Sequence, residues 1–342
     1  MAGPSTLWVA EGGADADPRT TMRAERGGDV AAPPAGGLRS SGETRVVRSR
    51  GAWSPGRRSA LGCLGMTEDW RAINFANWES RVPVHTGSGG YDRVAFDDPG
   101  HLSAVVRYDL PRLGRLDDLD VVHLQCHIGT DTISLSRLGA RSVVGLDFSP
   151  SALREARALA ACAGADVTFA DGEVYDAVEL LGAHCFDLVY TGIGAICWLP
   201  SIRRWAQVVA GLLRKGGRLF IREGHPVLWS MSDPRPDGLL VVEYPYFETK
   251  GVLFREESTY LGTGTVESPE SVSFNHGLGE IFTALRDAGL TMTNFEEHRE
   301  VPWNPLGAAM VPSPDFPGEF VLAHGRDRMP LTYTLQAVKA TG

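Results

Sequence analysis

Residues 121–149 constrain the fold of this chain more than any other segment. Two short apolar runs, at 121–124 and 143–146, flank a helix-length segment, which is the spacing of a strand–helix–strand unit. Gly129 lies where the first strand passes into the helix, so the backbone there can approach a ligand closely. Asp147 ends the second strand, where a carboxylate can accept both hydroxyls of a ribose. The segment therefore predicts a site for a nucleoside-containing cofactor.

The loop between the first strand and the helix discriminates between two cofactor classes. A dinucleotide site uses the pattern G-x-G-x-x-G, because several glycines let backbone amides close around a pyrophosphate. The loop from Gln125 to Asp131 contains one glycine, and Asp131 places a carboxylate beside the helix N-terminus, where it would repel a pyrophosphate. A nicotinamide-dependent oxidoreductase is therefore the less favoured interpretation.

The same loop resembles motif I of the class I S-adenosylmethionine (SAM)-dependent methyltransferases, in which an acid is followed by three glycines at alternate positions. His123 takes the place of the acid, Gln125 and His127 take the places of the first two glycines, and Gly129 is the third. The loop is similar to that of an uncharacterised branch of this family with a variant L-Q-C-H-x-G-x-D-T motif. The resemblance implies SAM as the cofactor.

The resemblance also implies an α/β fold, with a Rossmann-like, seven-stranded methyltransferase sheet and helices on both faces. Residues 290–297 and 331–339 would be the last two strands, an antiparallel pair. The alternation of helix and strand stops after the fifth strand, and apolar runs at 239–247 and 252–261 predict a β-hairpin. Such an insertion would cap the carboxyl ends of the strands, where ligands bind in open α/β sheets.

The chain divides into an N-terminal extension and one methyltransferase domain. Residues 1–65 are dense in Gly, Ala, Pro, Ser and Arg and have almost no periodic apolar pattern, so we expect them to be disordered. Met66 is the favoured true start, because a convincing folded sequence follows it. The expected parts of the domain are N-terminal lid helices at 66–118, a cofactor-binding core at 119–223, a substrate cap at 224–276, and a C-terminal helix with antiparallel strands at 277–342.

By resemblance, the cofactor lies across the carboxyl ends of the strands. Phe148, after the second-strand acid, would pack on the adenine base, and Asp171 would hydrogen-bond the adenine amino group, although Asp171 could instead be a turn or helix-capping residue. The end of the fourth strand, at Thr191, would lie beside the methyl group. The expected cofactor-binding residues are Gln125, Gly129, Asp147, Phe148, Asp171, Gly172 and Thr191.

Methyl transfer from a sulfonium requires little catalytic chemistry from the protein, because the leaving thioether is already activated. The protein must align the nucleophile, exclude water and, for some acceptors, remove a proton. His225 is the first candidate for a general base, since imidazole titrates near neutral pH and His225 follows the fifth strand. Glu223 and His276 are the next candidates. The alternative for His225, which precedes a proline, is that it stabilises a turn.

Three residues of the predicted lid, Trp78, His85 and Tyr91, are candidates for lining the site. The alternative for each is a place in the core, because aromatic residues at helical spacing are common there. His123 and His127 suggest a metal site, but on a strand that runs into a loop they would not converge, and no further ligand completes a set. We therefore expect no metal.

Composition restricts the partners. The net charge of −9 argues against a large nucleic-acid footprint, which requires a basic face. No window approaches the roughly 18 consecutive apolar residues of a membrane helix. The five cysteines show no C-x-x-C spacing, which fits a reducing cytosol. A cytoplasmic monomer or homodimer with no membrane partner is expected.

The sequence thus predicts an enzyme that transfers a methyl group from SAM to an O or N atom of a small-molecule substrate, mainly by proximity and orientation. The missing glycines of motif I make a second interpretation credible. In that alternative the chain is a catalytically silent SAM-binding regulatory protein.

Overall fold

The computed structural model describes residues 59–63, 70–247 and 250–341. The helices within these ranges are α1 Trp70–Thr86, α2 Ala104–Leu113, α3 Thr130–Arg137, α4 Pro150–Cys162, α5 Ala177–Leu181, α6 Ile202–Leu212, α7 Pro226–Trp229 and α8 Leu278–Asp287. The strands are β1 Ser59–Cys63, β2 Asp120–Leu124, β3 Ser142–Asp147, β4 Thr168–Asp171, β5 Phe186–Thr191, β6 Leu213–Gly224, β7 Val252–Arg255, β8 Glu270–Ser273, β9 Leu290–His298, β10 Met310–Pro312, β11 Phe320–Leu322 and β12 Thr332–Lys339. None of the described helices is both long and apolar enough to cross a membrane.

A seven-stranded sheet in the order β4-β3-β2-β5-β6-β12-β9 forms the centre of the fold. Strands β2 to β6 are mutually parallel, and β12 runs antiparallel to both of its neighbours. The order reverses at β2, which starts the chain's path through the sheet and lies between β3 and β5. Ligands bind outside the carboxyl ends of the strands at such a switch point. The sheet confirms the predicted Rossmann-like architecture and its terminal antiparallel pair.

The central strands are apolar along their length because helices cover both faces of the sheet. In β2 the four residues after Asp120 are buried. On one face, α6 packs its apolar stripe against the sheet, with Trp205 fully buried. The sequence marks several helix starts correctly: the Ser149 hydroxyl accepts a hydrogen bond from the amide of Ala152 at the start of α4.

Helix α1 is attached to both the cofactor-binding core and the insertion. Glu79 accepts hydrogen bonds from the hydroxyls of Ser149 and Ser151, at 2.5 and 2.6 Å. Asn74 pairs with the backbone of Val272 in β8 through two hydrogen bonds, of 2.9 and 2.7 Å. These bonds fix the orientation of α1 relative to the carboxyl end of β3.

The insertion contains a hairpin, but its strands differ from those expected. Strand β7 pairs with β8, and residues 239–247 contribute an isolated bridge between Met231 and Val242. Pro245 lacks the amide that a strand needs, and the chain leaves β7 after Arg255 to form a loop. The structure also places β1, within the segment expected to be disordered, antiparallel to β7. Met66 and most of that segment lie outside the described residues.

Candidate functional site

A cavity of about 560 Å³ lies at the carboxyl ends of the central strands. The loop after β2, the end of β3 and the segment after β5 line it, together with α1, the insertion and a proline-rich segment after β9. Residues at helical spacing along one face of α1 form part of its wall: Trp70, Asn74, Trp78 and Arg81.

Asp147 lies at the end of β3 with its carboxylate at the cavity wall. Its Oδ2 accepts a hydrogen bond of 2.7 Å from the amide of His127, and its Oδ1 accepts one of 2.9 Å from the amide of Ser149. Burial raises the pKa of Asp147 to about 6, against the effect of these amides. Each carboxylate oxygen retains acceptor capacity, so the pair of oxygens can also accept two hydroxyls.

The loop after β2 has a left-handed backbone at three alternate residues, and only one of the three is a glycine. Gln125, His127 and Gly129 have φ angles of 57°, 49° and 78°. A side chain in this left-handed region costs about 1–2 kcal/mol per residue. Two of these positions therefore carry side chains in a left-handed conformation, and both residues, Gln125 and His127, line the cavity.

Gly129 itself does not line the cavity. A Cβ at this position would lie 2.7 Å from the ring of Phe169 and 3.0 Å from the Cβ of Ala156. Close packing of the loop against β4 and α4, together with the positive φ, therefore explains the glycine.

Gln125 contributes an unused acceptor to the site. Its Nε2 donates to the carbonyl oxygen of Ala195 over 3.0 Å. Its Oε1 is buried and has no hydrogen-bond partner within the described part of the chain. A buried amide oxygen without a partner is costly, so a ligand N–H group would satisfy it.

Two imidazoles are hydrogen-bonded to each other at the cavity wall. His85 Nδ1 and His127 Nε2 are 2.9 Å apart, and His85 Nε2 is 2.9 Å from the hydroxyl of Thr259. Burial lowers the pKa of His85 to about 2 and that of His127 to about 3, so both rings are neutral. Trp78 and Tyr91 line the cavity beside them, and His85 lies immediately behind.

The remaining expected cofactor contacts divide into two groups. Phe148 and Gly172 line the cavity next to Asp147. Asp171 is exposed at the end of β4, and Thr191 is fully buried, and neither belongs to the cavity wall. Gly192, directly after β5, takes the position at the wall that was expected for Thr191.

The three candidate bases lie outside the cavity, and each is held by other parts of the protein. Glu223 accepts hydrogen bonds from four backbone amides, three of which belong to residues 194–196. Its role is therefore to shape the segment after β5.

The two histidines of that set are also fully engaged. His225 Nε2 is 2.9 Å from Glu297, and its Nδ1 accepts from the amide of Val227 at the start of α7, which matches the turn-stabilising alternative. His276 contacts the carbonyl oxygen of Leu199 and the carboxylate of Glu280. We therefore do not assign a base role to these residues.

The sequence interpretation missed three groups of the site: the imidazole of His127, the hydroxyl of Thr259 and the carboxylate of Asp131. Asp131 was noted only as an obstacle to a pyrophosphate. The available signal was an acid in the first helical turn after a motif I loop, since side chains there point toward the ligand end of the sheet.

Comparison with known proteins agrees with this fold. Residues 122–219 match the family model of a methyltransferase domain. No curated protein sequence matches the chain. An SAM-dependent methyltransferase structure from Mesorhizobium loti is 23% identical with a TM-score of 0.50, over 69% of this chain and 98% of that one.

Two further solved structures are similar at lower scores. A putative SAM-dependent methyltransferase from Listeria monocytogenes is 17% identical with a TM-score of 0.49, over 69% of this chain and 98% of that chain. The 1,6-didemethyltoxoflavin N1-methyltransferase of Burkholderia thailandensis is 18% identical with a TM-score of 0.46, over 83% and 95%. The sheet order is that of a Rossmann-like methyltransferase fold, and residues 122–219 within it match the model of a methyltransferase domain.

Proposed function

We propose that this protein methylates a small-molecule acceptor, on an O or N atom, inside the cavity at the switch point of its sheet. The observation that carries the proposal is the carboxylate of Asp147, which is held by two backbone amides at the end of β3 and faces a cavity of about 560 Å³ with several aromatic rings in its wall.

The residues present fit a SAM molecule. Asp147 would accept the ribose hydroxyls, with Phe148 and Gly172 beside the adenine. The unsatisfied Oε1 of Gln125 would accept an N–H of the amino-acid end, which replaces contacts that glycine-rich loops make through their backbone. SAM supplies an activated methyl group on a sulfonium.

The protein would act mainly by excluding water and positioning the acceptor. Helix α1 and the insertion close the cavity over the strand ends and meet at the His85–Thr259 hydrogen bond. Trp229 and Trp303 stack with centroids 5.6 Å apart and an interplanar angle of 21°, and Tyr260 lies 6.4 Å from Trp303. These rings, which all line the cavity, favour a small acceptor with an apolar or planar body.

The proposal is tested by calorimetric titration of SAM, S-adenosylhomocysteine (SAH) and NAD into the full chain. We expect micromolar binding of SAM and SAH, and a loss of about tenfold or more in both affinities, equivalent to about 1.4 kcal/mol, for Asp147→Ala. Asp166→Ala, which removes an exposed carboxylate outside the cavity, is the matched control and should bind normally. Binding of NAD in preference to SAM, or of none of the three, would refute the proposal.

An activity assay distinguishes an enzyme from a catalytically silent SAM-binding protein. Incubation of the protein with SAM and panels of amines, phenols and carboxylic acids should yield SAH and a product heavier by one methylene for at least one acceptor class. SAM binding without turnover on any panel would favour the regulatory alternative.

A further inference from the structure

Asp131 places a carboxylate in the cavity at the end of β5. It lies in the first turn of α3 and lines the cavity. A Cβ on Gly192 would lie only 3.3 Å from Asp131 Oδ2 and 3.5 Å from His123 Nε2. The glycine after β5 therefore leaves the face of this carboxylate uncovered.

No basic side chain in the described part of the chain forms an ion pair with this carboxylate. Its protein partners are hydroxyls, those of Ser103 and Thr130. Burial raises the pKa of Asp131, and the charge of Arg222 opposes this shift, but the Arg222 guanidinium is bound at 3.0 and 2.7 Å to the two oxygens of Glu319. The nearby His123 ring is neutral, because burial lowers its pKa to about 3.

A buried carboxylate that forms no ion pair favours a ligand group that carries or develops positive charge. The Tyr91 and Tyr260 rings line the same cavity as Asp131, and their hydroxyl oxygens are 2.8 Å apart. Burial raises the pKa of both hydroxyls, and the charge of Asp131 adds to that shift. Aromatic rings and a carboxylate together form the environment in which proteins bind cationic nitrogen.

The order of the strands would place Asp131 at the reacting end of a bound cofactor. Phe148 and Gly172 lie at the ends of β3 and β4, on one side of Asp147. Asp131, which follows β2, and Gly192, which follows β5, lie on the other side, at one and two strand spacings from β3, or about 5 and 10 Å. The amino-acid end of the cofactor already has its acceptor in Gln125, so Asp131 remains for the methyl acceptor.

We propose that Asp131 is a catalytic residue that binds the acceptor, and that the acceptor atom is an amine nitrogen. This inference rests on the proposed function. As a neutral nitrogen takes up the methyl group, positive charge develops on the nitrogen, and the adjacent carboxylate stabilises it. An oxygen acceptor would approach as an oxyanion, which the same carboxylate would repel.

The reaction balances with these groups alone. The nitrogen lone pair forms the N–C bond to the methyl group as the S–C bond breaks, and the electron pair of that bond remains on sulfur, which becomes a neutral thioether. The N–H proton passes to the carboxylate of Asp131 and from there to water.

The test uses two cofactor analogues and needs no knowledge of the acceptor. Sinefungin carries an amine at the position of the transferred methyl group, whereas SAH carries no charge there, and both share the same amino-acid end. We expect wild-type protein to bind sinefungin several-fold more tightly than SAH. Asp131→Asn should weaken sinefungin binding by about 10- to 100-fold, the range for a charge-assisted hydrogen bond, and SAH binding by less than threefold.

Asp92→Asn, which removes an exposed carboxylate from the cavity rim, is the control and should change neither affinity. Equal losses for both analogues would overturn the proposal, because Asp131 would then hold the shared amino-acid end. An unchanged sinefungin affinity would overturn it as well. If Asp131→Asn does not fold, a wild-type preference for SAH over sinefungin is sufficient to refute it, whereas failure of wild-type protein to bind SAH would refute the proposed function itself.

Discussion

The imidazoles of His85 and His127 are hydrogen-bonded to each other over 2.9 Å. One ring belongs to α1 and the other to the loop after β2, and His85 also bonds Thr259 of the insertion. The amide of His127 in turn donates to Asp147. Three segments distant in sequence therefore meet at one buried ring, which connects the insertion to the carboxylate proposed to bind the cofactor.

The interaction between the two rings should be measurable as a coupling energy. We expect His85→Ala and His127→Ala each to lower the free energy of unfolding by about 2–3 kcal/mol, because each leaves buried polar groups without partners. The double variant should lose less than the sum, by about 1 kcal/mol. Urea unfolding of the four proteins tests this, with the exposed His324→Ala as a control within about 0.5 kcal/mol of wild type. Strict additivity would show that the hydrogen bond contributes nothing.

Cofactor affinity should depend on pH through Asp147. Burial raises its pKa from an ordinary value near 3.9 to about 6, so the carboxylate is protonated below pH 6 and accepts fewer hydroxyls. The affinity for SAH should therefore fall by about tenfold per pH unit between pH 6 and 4.5 and reach a plateau above pH 7. The profile of Asp147→Asn should be flat over that range. A wild-type profile that is also flat would contradict the assigned contact.

The buried carboxyl group of Asp109 should make the protein less stable above pH 7 than in acid. Asp109 is fully buried and accepts a hydrogen bond from Tyr190, and burial raises its pKa to about 7 although Arg222 opposes the shift. Because the folded pKa exceeds the unfolded one, the stabilising effect of the protonated acid is complete below about pH 4 and is lost as the pH rises through 7. The acids Asp131 and Glu319 nearby act in the same direction.

The isosteric variant Asp109→Asn removes this titration. At pH 8.5 we expect it to be more stable than wild type by about 2–4 kcal/mol, and by less than half of that at pH 5. Thermal unfolding at both pH values measures the difference. A gain in melting temperature that is equal at both values would show that the charge is not responsible.

The tight packing of Gly129 should be detectable by comparing the stability of its alanine variant with that of Gly164, a second glycine with a positive φ. Gly129→Ala combines a positive φ of 78° with a Cβ only 2.7 Å from Phe169, so we expect a loss of about 3–4 kcal/mol. Gly164→Ala has a φ of 60° and no atom within 4 Å of its Cβ, and should lose about 1–2 kcal/mol from backbone strain alone. Equal losses in chemical denaturation would mean that the contact with Phe169 relaxes at no cost.

Much of the fold was predictable because it depends on local pattern. Apolar runs predicted the strands of the core, and Asp147 was correctly placed at a strand end. The hairpin of the insertion was mispaired, because the choice of strand partner depends on contacts such as that between Asn74 and Val272. The candidate bases were misplaced relative to the cavity for a similar reason: a position at the end of β6 did not show that Glu223 accepts hydrogen bonds from the amides of residues 194–196.

The sequence by itself determined the class of the fold, the switch-point site and the carboxylate of Asp147, since strand and helix periodicity and the strand-end acid are local properties of the chain. Tertiary structure alone decided which side chains share the cavity. It joined His85, His127 and Thr259, placed Asp131 against Gly192, and left the loop after β2 in a left-handed conformation at Gln125 and His127. These features arise from packing between segments far apart in the chain, which local sequence patterns do not predict.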